Sequence, residues 1–215
     1  MFQHLYGDVY YWTERHGKPQ TTYDWNSYAI RIDGANVFAL VDPLPLTDRE
    51  IRQIEAIGTP THILLTCNWH LREGEIYRQR WGCKIYLNAL GLSEAETRVD
   101  GTFKDGDRLW DAIEVIHLPH SGWGEETAFL VKQEKGLLIV GDAVCGGRAD
   151  IGVPDGEIGI FTTQLAAISD RQKARKSLVG LMKYPFDAIC FAHGTPIRHQ
   201  AKAALQRFLD TNTLS

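Results

Sequence analysis

The sequence predicts a mixed α/β (α+β) fold in which two β-sheets pack face to face with helices outside, a four-layer αββα sandwich. Three observations point there. The first third is rich in β-branched and aromatic runs that open as a hairpin, and an order of strands followed by helices occurs twice along the chain. In addition, four apolar strands run straight into polar residues of ligand or catalytic type. Buried strands fix their ends rigidly, and loops leaving one sheet edge converge on a shared place.

Val9-Tyr10-Tyr11-Trp12-Thr13 reads as a strand, and Ser27 to Ile32 alternates as a second. Asp33-Gly34 then turns the chain into Asn36 to Val41, a hairpin. Asp42-Pro43 ends that strand. Thr47 and Glu50 form a capping box for a helix with Ile51, Ile54 and Ile57 on one stripe, stopped at Gly58. His62 to Thr66 is a short strand, a second helix runs through Ile76 and Arg80, and Lys84 to Leu87 is again extended. In the second half Ala112 to Leu118, Thr127 to Val131 and Leu137 to Val140 are strands. Asp170 caps a helix with Ala174, Leu178 and Leu181 on one face. Asp187 to Ala192 is a strand, and a last helix buries Ala201, Leu205, Phe208 and Leu209. Periodicity alone does not separate this order from other α/β architectures.

The 215 residues carry no repeat, low-complexity tract or linker, so one domain spanning 1–215 is expected. A net charge of -4 without a basic stripe gives no case for nucleic acid. No apolar stretch approaches the ~20 residues of a membrane helix, and the first residues lack the pattern of a secretory signal. Cys67, Cys83, Cys145 and Cys190 are scattered, without a CxxC pair, which reads as reduced cysteines and a cytoplasmic address. A small-molecule ligand is the expected partner, with no nucleic acid and no membrane; oligomeric state is open.

The four junctions are Leu65 to Thr66-Cys67-Asn68-Trp69-His70, Leu118 to Pro119-His120-Ser121-Gly122, Val140 to Gly141-Asp142, and Ala192 to His193-Gly194. In this order they resemble the metallo-β-lactamase-fold superfamily, over roughly Ser27 to Leu209. Members of that superfamily carry T-H-x-H-x-D-H after a strand, then P-G-H, then G-D, then H-G. Gly141-Asp142-Ala143 and Ala192-His193-Gly194-Thr195-Pro196-Ile197 match well, and Val41-Asp42 stands in its usual place. The first motif does not match. Thr66 is kept, but Cys67, Trp69, Leu71 and Arg72 stand where ligands belong, and in the P-G-H segment the ligand has either moved by one residue to His120 or been lost. The pattern Thr66, His70, Arg72 is similar to a divergent bacterial branch of the fold with a degenerate metal motif.

The resemblance implies a hydrolase-like protein with at most one metal, zinc, iron or manganese, or none. The candidate ligands are Asp142, His193, His70 and His120, and the candidate catalytic residues are His70, Arg72 and Asp142. His70 reads equally as a displaced ligand or base and as a helix-start residue bonding the backbone. Cys67 reads better as a small buried hydrophobe than as a nucleophile. His117 reads as structural, and Glu125 and Glu126 read as a solvated turn. Arg72 cannot ligate a metal; projected into a second-metal place it would neutralise Asp142 instead, and otherwise it pairs on its helix with Glu73 or Glu75. The alternative function is a metal-free member that binds a ligand or partner in the old cleft, with Arg72 anchoring an anion. Loops around Trp123, Cys145 to Asp150 and Pro154 to Phe161 are expected over that cleft.

Overall fold

Extended, aromatic-rich segments pair first. In a computed structural model describing residues 2–16, 22–122 and 124–214, β1 (Gln3–Tyr6), β2 (Val9–His16), β3 (Tyr23–Ile32) and β4 (Val37–Val41) form an antiparallel meander. The turn between β3 and β4 is a short 3-10 segment, Asp33–Ala35, closed by Asn36 in the left-handed region, a conformation its short polar side chain tolerates. β5 (His62–Leu64), β6 (Lys84–Asn88) and β7 (Gly101–Phe103) add in parallel, giving a seven-stranded sheet in sequence order. Parallel addition needs a crossover, supplied by α1 (Asp48–Ile57) and α2 (Gly74–Trp81). The Thr47–Glu50 capping box is present at the start of α1.

The second sheet runs β12-β11-β10-β9-β8, from β8 (Arg108–Leu109), β9 (Ile113–His117), β10 (Thr127–Val131), β11 (Leu137–Val140) and β12 (Ala188–Phe191). The parallel β11–β12 pair is bridged by α3 (Thr162–Ala167) and α4 (Arg171–Gly180), the latter capped by Asp170; α5 (Ala201–Asp210) follows.

Three apolar layers make this a four-layer αββα sandwich. Val9, Tyr28, Ile30, Ala39, Val41 and Leu64 of one sheet meet Val115, Phe129, Ile139 and Cys190 of the other. Leu40, Ile63 and Ile85 face Ile54 and Tyr77 of the first helix pair; Leu130, Leu138 and Ile189 face Leu178, Leu205 and Phe208. Burial on both faces explains why β4, β10, β11 and β12 are unbroken apolar runs rather than alternating ones.

At one end the sheets are tied by hydrogen bonds. Asn26 N donates to Ala192 O (2.8 Å), its Nδ2 to Phe191 O and Gly194 O (3.0 and 2.7 Å), and Tyr28 Oη to Phe191 O (2.6 Å). Thr127 N donates to Thr66 O (2.8 Å). The ends of β3, β5, β10, β11 and β12 therefore meet. Among the described residues no helix is long and apolar enough to cross a membrane.

Candidate metal centre

Three of those strand ends supply one cluster. β5 leads through Thr66 and Cys67 into a 3-10 turn, Asn68–His70. β11 leads to Asp142 and β12 to His193. One ligand atom each from His70, Asp142 and His193 lies within 4.8 Å of the others. His70 Nε2 is 3.4 Å from Asp142 Oδ2, and His193 Nε2 is 3.0 Å from Asp142 Oδ1. That second pair is close without being aligned for a hydrogen bond: the buried Asp142 Oδ1 has no hydrogen-bond partner among the described residues. Three such donor atoms this close together suit a shared cation.

Behind His70 stands Asp42, in the left-handed region at φ 48° directly after β4. Its Oδ1 accepts from Thr66 N (2.8 Å) and its Oδ2 from Thr66 Oγ1 (2.5 Å). His70 Nδ1 lies 2.9 Å from the same Oδ2. A carboxylate holding one ring nitrogen fixes the tautomer and turns the other nitrogen toward the site. Sequence reading noted Asp42 as a strand end standing in its usual superfamily place, without assigning it a role at the site.

The electrostatics favour positive charge at this point. Burial opposes a charged His70, yet Cys67, Asp142 and Asp42 prevail and hold its pKa well above the usual value. Burial likewise opposes the Asp142 carboxylate, and His70 and His193 outweigh it, keeping it well below the carboxylate range. Burial lowers His193, beyond what Asp142 restores, which leaves a neutral imidazole, the ligating form; at His70 a bound cation would displace the proton.

The remaining candidates fall elsewhere. Cys67 is buried, its thiol pushed up to about 12 chiefly by desolvation, and it stands outside the cluster. Trp69 is exposed. His120 is exposed with φ 64° and borders, with His117, clefts on another part of the surface. A left-handed turn at His120 carries the chain away from the place that the order of motifs suggested. His117 Nε2 meets Glu125 at 2.6 Å.

Arg72 does not reach Asp142. Its Nη1 donates to Asn26 O and Asp42 O (both 2.9 Å), and its guanidinium lies over Trp25, 5.1 Å from the ring centroid. Nor does it pair with Glu73 or Glu75; Glu75 takes Arg78 (2.8 Å). Glu126 corrects the reading of a solvated turn. It is fully buried, its Oε2 accepts from Asp142 N (3.1 Å), and burial, then the Asp142 charge, raise its pKa. It braces Asp142 from below.

A cleft of about 410 Å³ opens on Asp142 and His193, walled by Tyr23 and Trp25 from β3 and by Arg148, Ile151 and Phe161 from the loop region after β11. The expected cleft loops therefore do border it; Trp123 lies outside the described residues. Gly146 and Gly194 let those loops close. A side chain at Gly146 would strike Thr195 O, and Gly194, at φ 84°, packs on the Gly146 carbonyl.

Two face-to-face sheets with outer helices, and a His–Asp–His cluster where strand ends meet, define a metallo-β-lactamase-type fold. The chain belongs to the metallo-beta-lactamase superfamily, whose sequence profile matches residues 3–178. A metallo-beta-lactamase from Pontibacter korlensis superposes with a TM-score of 0.70 at 14% identity, over 97% of this chain and 96% of that one. A flavoprotein from Thermotoga maritima gives 0.72 at 13%, over 97% of this chain and 60% of its own. A metal-soaked flavodiiron core from Synechocystis gives 0.71 at 15%, over 99% and 60%. The chain thus spans about three-fifths of those last two proteins. No match was found among curated protein sequences.

Proposed function

We propose that the chain is a hydrolase-like member of the superfamily with one metal ion, held by His70, Asp142 and His193 and acting on an ester, thioester, lactone or amide. The observation that carries this reading is the convergence of those three side chains within 4.8 Å. Sequence register left only two of the superfamily's ligands in place; the nearness of His70 to both supports it as a third. Three protein ligands with a position left open is the count of catalytic zinc sites, and two histidines with one carboxylate also suits ferrous iron. The donor set thus fits a single ion. Such an ion would supply Lewis acidity toward a carbonyl and lower the pKa of water.

The protein's own residues would do the rest. Asp42 and Thr66 hold the His70 tautomer, and Glu126 holds the Asp142 backbone. Asp142 presents one oxygen to each histidine, so it would hold the ion and both rings in one arrangement. In the reaction the water oxygen bonds to the carbonyl carbon, the bond to the leaving group breaks, and the proton passes to the leaving group.

Elemental analysis of protein purified without chelator tests the reading: about one ion per chain is expected, falling below a tenth in Asp142→Ala and His193→Ala. A second reading, a metal-free ligand binder, draws on Arg72, whose buried Nε and Nη2 have no partner among the described residues. It predicts no bound metal and a thermal shift with inorganic phosphate that Arg72→Gln abolishes.

A further inference from the structure

The cleft over the cluster has a chemical character of its own. Three aromatic rings meet the His193 ring edge-on: Tyr23 at 5.8 Å, Trp25 at 5.5 Å and Phe161 at 5.6 Å. With Ile151 they line the same cleft as Asp142 and His193. Its volume lies in the range of small-molecule sites, where apolar walls give affinity and a few polar groups fix orientation.

Charge in the wall decides what kind of group fits. Arg148 is the cation there, yet its Nε and Nη2 are both committed to Asp150 (3.1 and 2.7 Å), and both side chains are largely buried. Its guanidinium lies over Tyr23 at 4.1 Å and over Phe161 at 5.4 Å from the ring centroids. The pair is therefore neutral as a unit and presents a flat surface continuous with the rings. Asp142 at the floor is already engaged by His70 and His193, so it adds no free charge to the wall. A phosphate or carboxylate group thus finds no free counter-charge in the wall, whereas a flat uncharged ring finds apolar and aromatic surface on which to stack.

We infer that this cleft takes an uncharged aromatic group of the substrate, placed beside the candidate metal centre by Tyr23, Trp25 and Phe161, with Phe161 as the main determinant of specificity. The inference rests on the proposed carbonyl hydrolysis for its chemistry, and it selects aryl or arylalkyl esters, thioesters, lactones or amides over phosphorylated or short aliphatic ones. Phe161 stands immediately before α3, on the loop side of the cleft, so its ring can vary without disturbing a sheet.

Saturation-transfer NMR on the full chain, as purified and again after chelator treatment, tests this with phenylacetamide, acetamide and methylphosphonate as probes. Phenylacetamide should receive saturation at its ring protons in both preparations, at least fivefold more strongly than the methyl groups of the other two. Phe161→Ala should reduce that signal at least fivefold and Phe161→Leu less, with circular dichroism and Tm confirming that both variants fold. A phenylacetamide signal unchanged in a folded Phe161→Ala, or a stronger response to methylphosphonate, overturns the inference. The readout does not depend on metal. A chain that binds no metal and passes loses the proposed reaction and keeps the aromatic cleft; a metal-loaded chain that fails keeps the centre and loses the substrate class.

Discussion

The loop after β5 and the loops after β11 and β12 meet at the same cluster, but they reach it differently. The second pair carries Asp142 and His193 in the register of the superfamily, and the backbone explains why they stay. Asn26, Tyr28 and Gly194 tie the end of β12 to β3, so His193 is placed by hydrogen bonds between sheets. The loop after β5 has instead been rebuilt. Cys67, Trp69 and Leu71 place no ligand atom in the cluster, and His70 enters from a motif position that is ordinarily not a ligand. Asp42 and Thr66 hold it there. His193 is thus fixed by the sheet framework, whereas His70 stands on a short turn and is oriented by a buried carboxylate.

Predictions follow from that contrast in order of size. Asp142 touches both histidines, so Asp142→Ala should remove the metal altogether, as elemental analysis will show. Asp42→Asn removes only the group orienting His70, and metal affinity should weaken about 10–100-fold in a competition titration with a chromophoric chelator. An unchanged affinity would mean that the rebuilt loop does not depend on Asp42.

On the preserved side, Tyr28→Phe deletes the hydroxyl that donates to Phe191 O and accepts from Phe191 N (2.6 and 3.1 Å). Phe191 O keeps Asn26 Nδ2, whereas Phe191 N loses its partner, which should cost about 1–3 kcal/mol in urea unfolding. On the rebuilt side, Asp100 ties α2 to β6 through Arg78 Nη2 and Ile85 N (2.9 and 3.0 Å). Burial would raise its pKa, but that hydrogen bond, Arg78 and Arg98 outweigh it and the pKa is lowered. A lowered carboxylate stabilises the fold above its unfolded pKa of about 3.9 and ceases to do so as pH falls through the folded value. Asp100→Asn should therefore cost about 0.2–1 kcal/mol near neutrality, with the gap from the parent closing below about pH 4. Smallest of all, Cys67→Ala should leave metal content unchanged, since the thiol at about 12 is neutral and outside the cluster.

Much of the architecture was legible from residues alone. Thr127–Val131 and Leu137–Val140 coincide with their expected bounds, as do the Thr47–Glu50 box and the Asp170 cap, because apolar runs and capping side chains act locally. The short strands β1, β7 and β8 were missed; two to four residues carry too little pattern, and their sheet partners decide them. Asp142 and His193 were legible because each directly ends a buried apolar strand. His70 remained balanced between two readings, His120 was placed at the site although it lies elsewhere, and Glu126 was read as exposed although it is buried under Asp142. In each case local sequence fixes the residue type and the nearest strand, while the direction of a side chain leaving a turn depends on a few dihedrals and on whatever packs opposite. Asp42 stands 28 positions before His70, and only the parallel pairing of β4 with β5 brings them together. The sequence by itself determined the layers and set Asp142 and His193 at strand ends; the tertiary structure decided that His70 joins them, which group orients it and the aromatic wall beside it, because these are contacts between residues that no local pattern connects.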